Sequence, residues 1–339
     1  MATIELAPYF HPTQIVLVDD DIDFLGNLSL QLDADLAYLL FDSTHKALGY
    51  LNGRQPNGTA RDRFFKAVPN GHGDSGKNHR ESLALDISAL HREMQASDRF
   101  AQISVALVDY AMPQMNGLEF CRQIKDPHVK KILFTGVATE SVAVDAFNHG
   151  IIDQYIRKHE HAVYDTLNQA IRQFQQEYIR DVFTAAADVF PVDLPGLLKE
   201  PAVARLIERL RADQGLVEYY LAVEPTGFVF ADAAGQVKRV VIQSRDERAH
   251  EAQRARAAGA PAAIVDGLEA GTLMLDPNSS VYHELDWSAH TAPGAELGDA
   301  AGDLRWSLFD MSCTGGGIQA RPSYNEFLEW LDTVGYSLM

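Results

Sequence analysis

Four short runs in the first half of the chain end in residues that could hold a metal ion and a phosphoryl group. Asp19-Asp20-Asp21 follows the apolar run Ile15-Val16-Leu17-Val18, and Asp109 follows Val105-Ala106-Leu107-Val108. Thr135 closes the run Lys131-Ile132-Leu133-Phe134, and Lys158 comes after Tyr155-Ile156-Arg157. Mg²⁺ is a hard cation that takes oxygen ligands and keeps several waters, so two or three carboxylates suffice for it. The candidates are Asp19, Asp20 and Asp109. Asp109 has in addition the side chain that can act as a nucleophile and carry an acyl phosphate. Lys158 would offset charge on the transferring phosphoryl oxygens, and Thr135 would hydrogen-bond one of them.

Each of these apolar runs reads as a buried strand, so each polar residue sits at a strand's C-terminal end. In open α/β sheets that edge is where ligands bind. A lone Asp at such a place is ordinarily a helix cap or a turn residue. The full set in this order is what argues for a site. Arg157 and His159 read as solvated neighbours of Lys158, and Tyr155 by itself as a half-buried strand aromatic.

Roughly residues 12–180 resemble the receiver domains of two-component response regulators. The likeness rests on the acidic pair Asp19/Asp20, on Asp109-Tyr110-Ala111-Met112-Pro113-Gln114-Met115-Asn116-Gly117, on Thr135-Gly136, and on Tyr155-Ile156-Arg157-Lys158. It implies a flavodoxin-like, doubly wound parallel sheet of five strands. It also implies Mg²⁺-dependent phosphorylation of Asp109 by a sensor histidine kinase or phosphotransfer protein, with Thr135 and Tyr155 as the switch residues. No enzymatic activity is expected beyond this self-phosphorylation chemistry. Two features depart from the family pattern. His159 stands where a Pro usually follows the Lys, and an insertion of about residues 53–100 follows the second predicted helix. Ala111 and Val137 flank the approach of a hydrolytic water and offer it no hydrogen bond, so slow self-dephosphorylation is expected.

The composition frames this core. The chain has 339 residues, 46% apolar and 22% charged, enough for two folded domains. Two cysteines, Cys121 and Cys313, are too few for a disulfide framework, and the reading is a reducing cytoplasm. The N-terminal residues lack the pattern of a signal peptide, and no run approaches the ~20 apolar residues of a membrane span. The formal net charge of −18 argues against nucleic acid as a partner, because that affinity comes mostly from Lys and Arg neutralising phosphates. No helix-turn-helix or winged-helix pattern is present.

The insertion opens with turn-rich sequence over 53–82. An amphipathic helix is then predicted over 83–97, with Leu83, Ile87, Leu90 and Met94 at helical spacing. His72, His79 and His91 do not share one face and read as loop and surface histidines. From His161 to Phe190 a single helical pattern carries Val163, Leu167, Ile171, Phe174, Tyr178, Val182 and Phe183. Its length suggests that it runs on into a second domain or pairs with its mate in a homodimer. Pro191 and Pro195-Gly196 set the boundary, giving a receiver over 1–187 and an output domain over 188–339.

The output domain reads as a smaller α+β domain with an antiparallel sheet. Strands are expected at 217–222, 227–231, 237–242 and 304–309, and helices at 201–213, 245–258 and 262–270. The region 276–303 reads as an acidic loop. Ser323-Tyr324-Asn325-Glu326 forms a capping box that opens a last helix with Phe327, Trp330, Leu331 and Val334 inward. Asp232, Gln236 and Lys238 loosely resemble the core of a nuclease-like Mg²⁺ fold, but Asp232 and Gly235 fit a hairpin turn better. Ser312-Cys313-Thr314-Gly315-Gly316-Gly317 lacks the frame of a phosphate loop. The main expectation is a phosphorylation-controlled protein that acts on a downstream protein. The alternatives make the output domain a small-ligand sensor, using Tyr219, Tyr220, Phe228, Phe230 and Trp306, or a Mg²⁺-dependent nuclease-like domain.

Overall fold

The computed structural model describes residues 5–53, 60–68, 82–136, 140–188, 192–193, 195–277, 286–298, 300, 302–311 and 322–334. They form two compact units. One takes His11–Arg63, Ser97–Val189 and Asn325–Met339, and the other takes Met1–Phe10, Phe64–Ala96 and Phe190–Tyr324. The units part in sequence at Val189/Phe190, and residues 1–10 and 64–96, expected within the receiver, fall in the second unit. Backbone pairing is the reason. Tyr9–Phe10 pairs with Leu216–Val223, and Ser82–Leu85 pairs with Val192–Asp193. Both segments therefore satisfy their backbone groups in the second unit.

The first unit is the receiver. Its strands are β1 (Gln14–Val18), β2 (Ala37–Phe41), β3 (Ile103–Val108), β4 (Lys130–Thr135) and β5 (Gln154–Arg157). All pair in parallel in the order β2-β1-β3-β4-β5. Helices α1 (Ile22–Ser29), α2 (Thr44–Gly53), α3 (Gly117–Gln123), α4 (Glu140–Asn148) and α5 (Val163–Asp188) alternate with them. This is the flavodoxin-like doubly wound arrangement, whose strand order reverses between β1 and β3. Every residue of β1 and β3 is buried, as strands covered on both faces require. Ile15, Leu17, Leu107 and Ile132 pack with Leu25 of α1 and Leu167 and Ile171 of α5. Each such side chain contributes about 1.5–3 kcal/mol by leaving water. Of the α5 stripe, Val163, Leu167, Ile171 and Phe174 pack into this core, Tyr178 and Phe183 are buried, and Val182 is half-buried.

In the second unit, α6 (Pro201–Gln214) leads into β6 (Leu216–Val223), β7 (Thr226–Asp232) and β8 (Val237–Gln243). Helices α7 (Arg245–Ala257) and α8 (Ala262–Ala270) follow, and β9 (Arg305–Asp310) completes the main run. The sheet is antiparallel, in the order Tyr9–Phe10, β6, β7, β8, β9 and Ala295–Glu296. Short strands at Thr291–Pro293 and Ala295–Glu296 lie in the stretch expected to be loop. Tyr219, Tyr220, Phe228 and Phe230 are buried, and Tyr219 meets the rings of Phe228 and Phe230, so these aromatics are core.

Of the expected insertion, Phe64–Ala96 falls in this second unit. The helix expected over 83–97 is shorter: Ser82–Leu85 is a strand paired with Phe65–Val68, and the helix is Ile87–Met94. Asp86 stops the strand and caps the helix, its carboxylate accepting the N–H groups of Ser88 and Ala89. His91 on that helix donates from Nε2 to the Leu221 carbonyl at 3.1 Å. Burial holds its pKa below the usual histidine value, and the charge of Arg239 acts the same way. His72 and His79 lie outside the described residues.

The last helix, α9 (Tyr324–Val334), starts directly after Ser323. Phe327 and Leu331 are buried, with Phe327 5.5 Å from the Phe100 ring. Trp330, expected inward, is 46% exposed and stacks its ring on Phe327 instead. Cys121 is buried and its thiol is pushed up to about 12 by desolvation. Cys313 and its Gly-rich loop lie outside the described residues.

Candidate functional site

The acidic triplet after β1 divides into three different jobs. Asp19 is buried, and its Oδ1 accepts the N–H of Asp21 at 2.9 Å. Asp20 is exposed. Asp21 is the N-cap of α1, its carboxylate accepting the Phe24 N–H at 2.9 Å. Asp109 follows β3, the strand beside β1. Because Val18 and Val108 are register partners, both buried carboxylates stand just past the same level of the sheet, on the two sides of the reversal point.

Lys158 joins them. Its Nζ lies 2.7 Å from Asp19 Oδ2 and 2.8 Å from Asp109 Oδ1. It also sits 3.8 Å from the centre of the Phe24 ring, whose face favours a cation. Desolvation works to lower the Lys158 pKa, but hydrogen bonds to Asp109 and Asp19 outweigh it and hold the ammonium above its ordinary value. Burial raises the Asp19 carboxyl above the usual range, against the opposing pull of Lys158. Asp109 Oδ2 accepts the Ala111 N–H at 2.6 Å, which fixes the orientation of the carboxylate.

Thr135 ends β4 fully buried, and its carbonyl accepts the Lys158 N–H at 3.2 Å. Gly117 begins α3 under the acceptor: a β-carbon there would overlap the carbonyl oxygen of Asp109 and stand 3.1 Å from Leu133 Cδ1. Tyr155 is half-buried and lies farther out. With Ala143, Val144, Phe147, Arg157 and Glu160 it lines a groove of about 380 Å³.

The structure therefore brings Asp19, Asp109 and Lys158 into contact and ties the backbone of Lys158 to Thr135. Asp20 lies at the exposed side. Among the described residues no three carboxylate, imidazole or thiol groups stand as one metal-binding cluster. Lys158 is the group that bridges the two buried carboxylates. Two contributors were not evident in the sequence. The Ala111 N–H acts through backbone, which no side chain announces. Phe24 reads from its spacing as an ordinary residue of α1. Val137 lies outside the described residues.

In the second unit, Asp232 is held in a turn, its Oδ1 accepting the N–H groups of Ala234 and Gln236 at 2.9 Å each. Lys238 points its Nζ to Asp310 at 3.3 Å and to Gln214 at 3.1 Å.

The family model for the response regulator receiver domain matches residues 83–172. The solved structure of the Legionella pneumophila response regulator LqsR is 30% identical, with a TM-score of 0.77, covering 99% of this chain and 99% of its own. The chain belongs to the response regulators. A CheY-like receiver domain protein from Methanospirillum hungatei JF-1 is 18% identical to this regulator. It covers 50% of the regulator's chain and 98% of its own, with a TM-score of 0.32. A search of curated proteins gives no match. Among the described residues of the regulator, no helix is long and apolar enough to cross a membrane.

Proposed function

We propose that this response regulator takes a phosphoryl group onto Asp109 from a histidine kinase or phosphotransfer protein, with Mg²⁺, and signals by binding a downstream protein rather than DNA. The observation that carries this reading is the single ammonium of Lys158 held between two buried carboxylates at the reversal edge of the parallel sheet.

The donor set suits Mg²⁺. Asp19 and Asp109 supply hard oxygens on two adjacent strands and already face one cation, and the exposed Asp20 is next in sequence to Asp19. Bound there, the ion would offset the negative charge on the phosphoryl oxygens. The side chains do the rest. The Ala111 N–H holds Oδ2 of Asp109 and so orients the carboxylate for attack on phosphorus. As the new P–O bond forms, the bond to the donor breaks and the donor leaves with its electron pair. Lys158, 2.8 Å from Asp109 Oδ1, stays beside the phosphoryl group and balances its charge. Thr135 at the next strand end supplies a hydroxyl, and its movement together with Tyr155 would pass the charged state outward.

Protein contact rather than DNA binding is supported by the formal net charge of −18. Against the nuclease-like alternative, Asp232 is committed to a turn and Lys238 is paired. The test is incubation with Mg²⁺ and a small phosphodonor, followed by intact mass and elution volume for wild type and Asp109→Ala. A phosphate adduct on wild type alone is the expected result. An adduct retained in the variant, or none on wild type, would overturn the reading.

A further inference from the structure

We infer that His159 is a further residue of the phosphoryl site, placed to take a proton from the water that hydrolyses the acyl phosphate. This rests on the reading of Asp109 as phosphoacceptor and extends it.

Two backbone hydrogen bonds fix the chain on either side of His159. The Lys158 N–H donates to the Thr135 carbonyl at 3.2 Å, and the Glu160 N–H donates to the Arg157 carbonyl at 3.2 Å, closing a tight turn. His159 thus projects from the end of β5 across to the end of β4. Its imidazole rests on Gly136, with Nε2 3.2 Å and Cδ2 3.6 Å from where a β-carbon would stand. The glycine leaves the room that the ring fills. One neighbour of His159 in sequence is Lys158, which touches Asp109, and the residue before Gly136 is Thr135. The ring is exposed. An exposed imidazole is thereby set against the residue that follows Thr135, at the solvent side of a pocket whose other parts are carboxylates, an ammonium and a hydroxyl.

The buried groups beside Asp109 do not suit base catalysis of hydrolysis. Lys158 is held protonated, and Asp19 is tied to it and to the Asp21 N–H. The side chain of Ala111 offers no hydrogen bond. His159 is an imidazole at this edge of the sheet, set against the residue next to Thr135, and imidazole is the commonest general base. In the step assigned to it, the water oxygen forms a bond to phosphorus and the bond from phosphorus to the Asp109 oxygen breaks. The carboxylate leaves with its electron pair, one water proton passes to His159, and inorganic phosphate is released. His159 so changes the expectation of slow self-dephosphorylation, which considered Ala111 and Val137 alone.

The experiment uses the full chain. Wild type, His159→Phe and His159→Gln are loaded with Mg²⁺ and a small phosphodonor, freed of donor, and followed by intact mass as the adduct decays. Phe keeps a flat ring over Gly136 without nitrogen, whereas Gln keeps a hydrogen-bonding group but no base. The expected result is a half-life at least about fivefold longer in His159→Phe, with His159→Gln between it and wild type. A half-life in His159→Phe less than about fivefold longer, or a shorter one, overturns the assignment to His159 while leaving Asp109 in place. A Gln variant as long-lived as Phe still supports proton transfer, because Gln cannot take the proton. Absence of any adduct on wild type overturns the phosphoacceptor reading and this inference together.

Discussion

Gly117 has no side chain to offer because the carbonyl oxygen of Asp109 occupies the place where one would begin. The turn after β3 brings the backbone of the acceptor against the first residue of α3, and the Gly117 N–H donates to the Tyr110 carbonyl at 2.9 Å. The spacing of eight residues between Asp109 and Gly117 in the sequence is this contact seen in one dimension.

Gly117→Ala is therefore expected to destabilise the receiver by about 1–3 kcal/mol, the usual cost of forcing atoms into a filled space. In an open helical position the same change would stabilise by up to about 1 kcal/mol, so the sign decides. Urea unfolding of the two proteins measures it. A variant as stable as wild type would mean that the close approach is absent.

Lys158→Met leaves Asp19 and Asp109 buried together without their shared cation. Breaking such a cluster from one side costs on the order of 3 kcal/mol. The loss is expected at neutral pH in the presence of a chelator, and it should shrink in acid as the carboxylates take up protons. Thermal unfolding at several pH values reads both effects. A melting temperature unaffected by the substitution at neutral pH would contradict the geometry.

His91 gives a pH dependence of known sign. Its folded pKa lies below the usual 6.5, so the unfolded chain binds the proton first as pH falls. Its neutral ring in the fold therefore supports full stability above about that value, and stability is lost as pH drops from there through the folded pKa. Comparison of urea midpoints between pH 8 and pH 5 should show a steeper loss for wild type than for His91→Gln. Parallel curves would mean that burial of the His91 ring exerts no such linkage.

The receiver was legible because its signals are local. A buried parallel strand must be apolar along its whole length, so Ile15–Val18 and Val105–Val108 announce themselves, and the polar residue that follows each must lie at the binding edge. The Lys158 contacts follow from the order of strands, which the family likeness supplies. Asp19, Asp20 and Asp21 look alike in sequence, yet one is buried against Lys158, one is exposed and one caps a helix. Only burial and partners in the fold separate them.

What the sequence determined by itself was the type and approximate extent of most elements, and the residues that meet at the edge of the parallel sheet. These depend on hydrophobic period, caps and turn chemistry, all of which act over a few residues. Tertiary structure alone decided which unit each segment joins. Tyr9–Phe10 gave no strand signal and residues 83–85 read as the start of a helix, but they pair with Leu216–Val223 and Val192–Asp193, far along the chain. It also decided that His159 lies on Gly136 and His91 on Leu221. A contact between distant residues leaves no periodic trace in either one, because each needs only to fit the other.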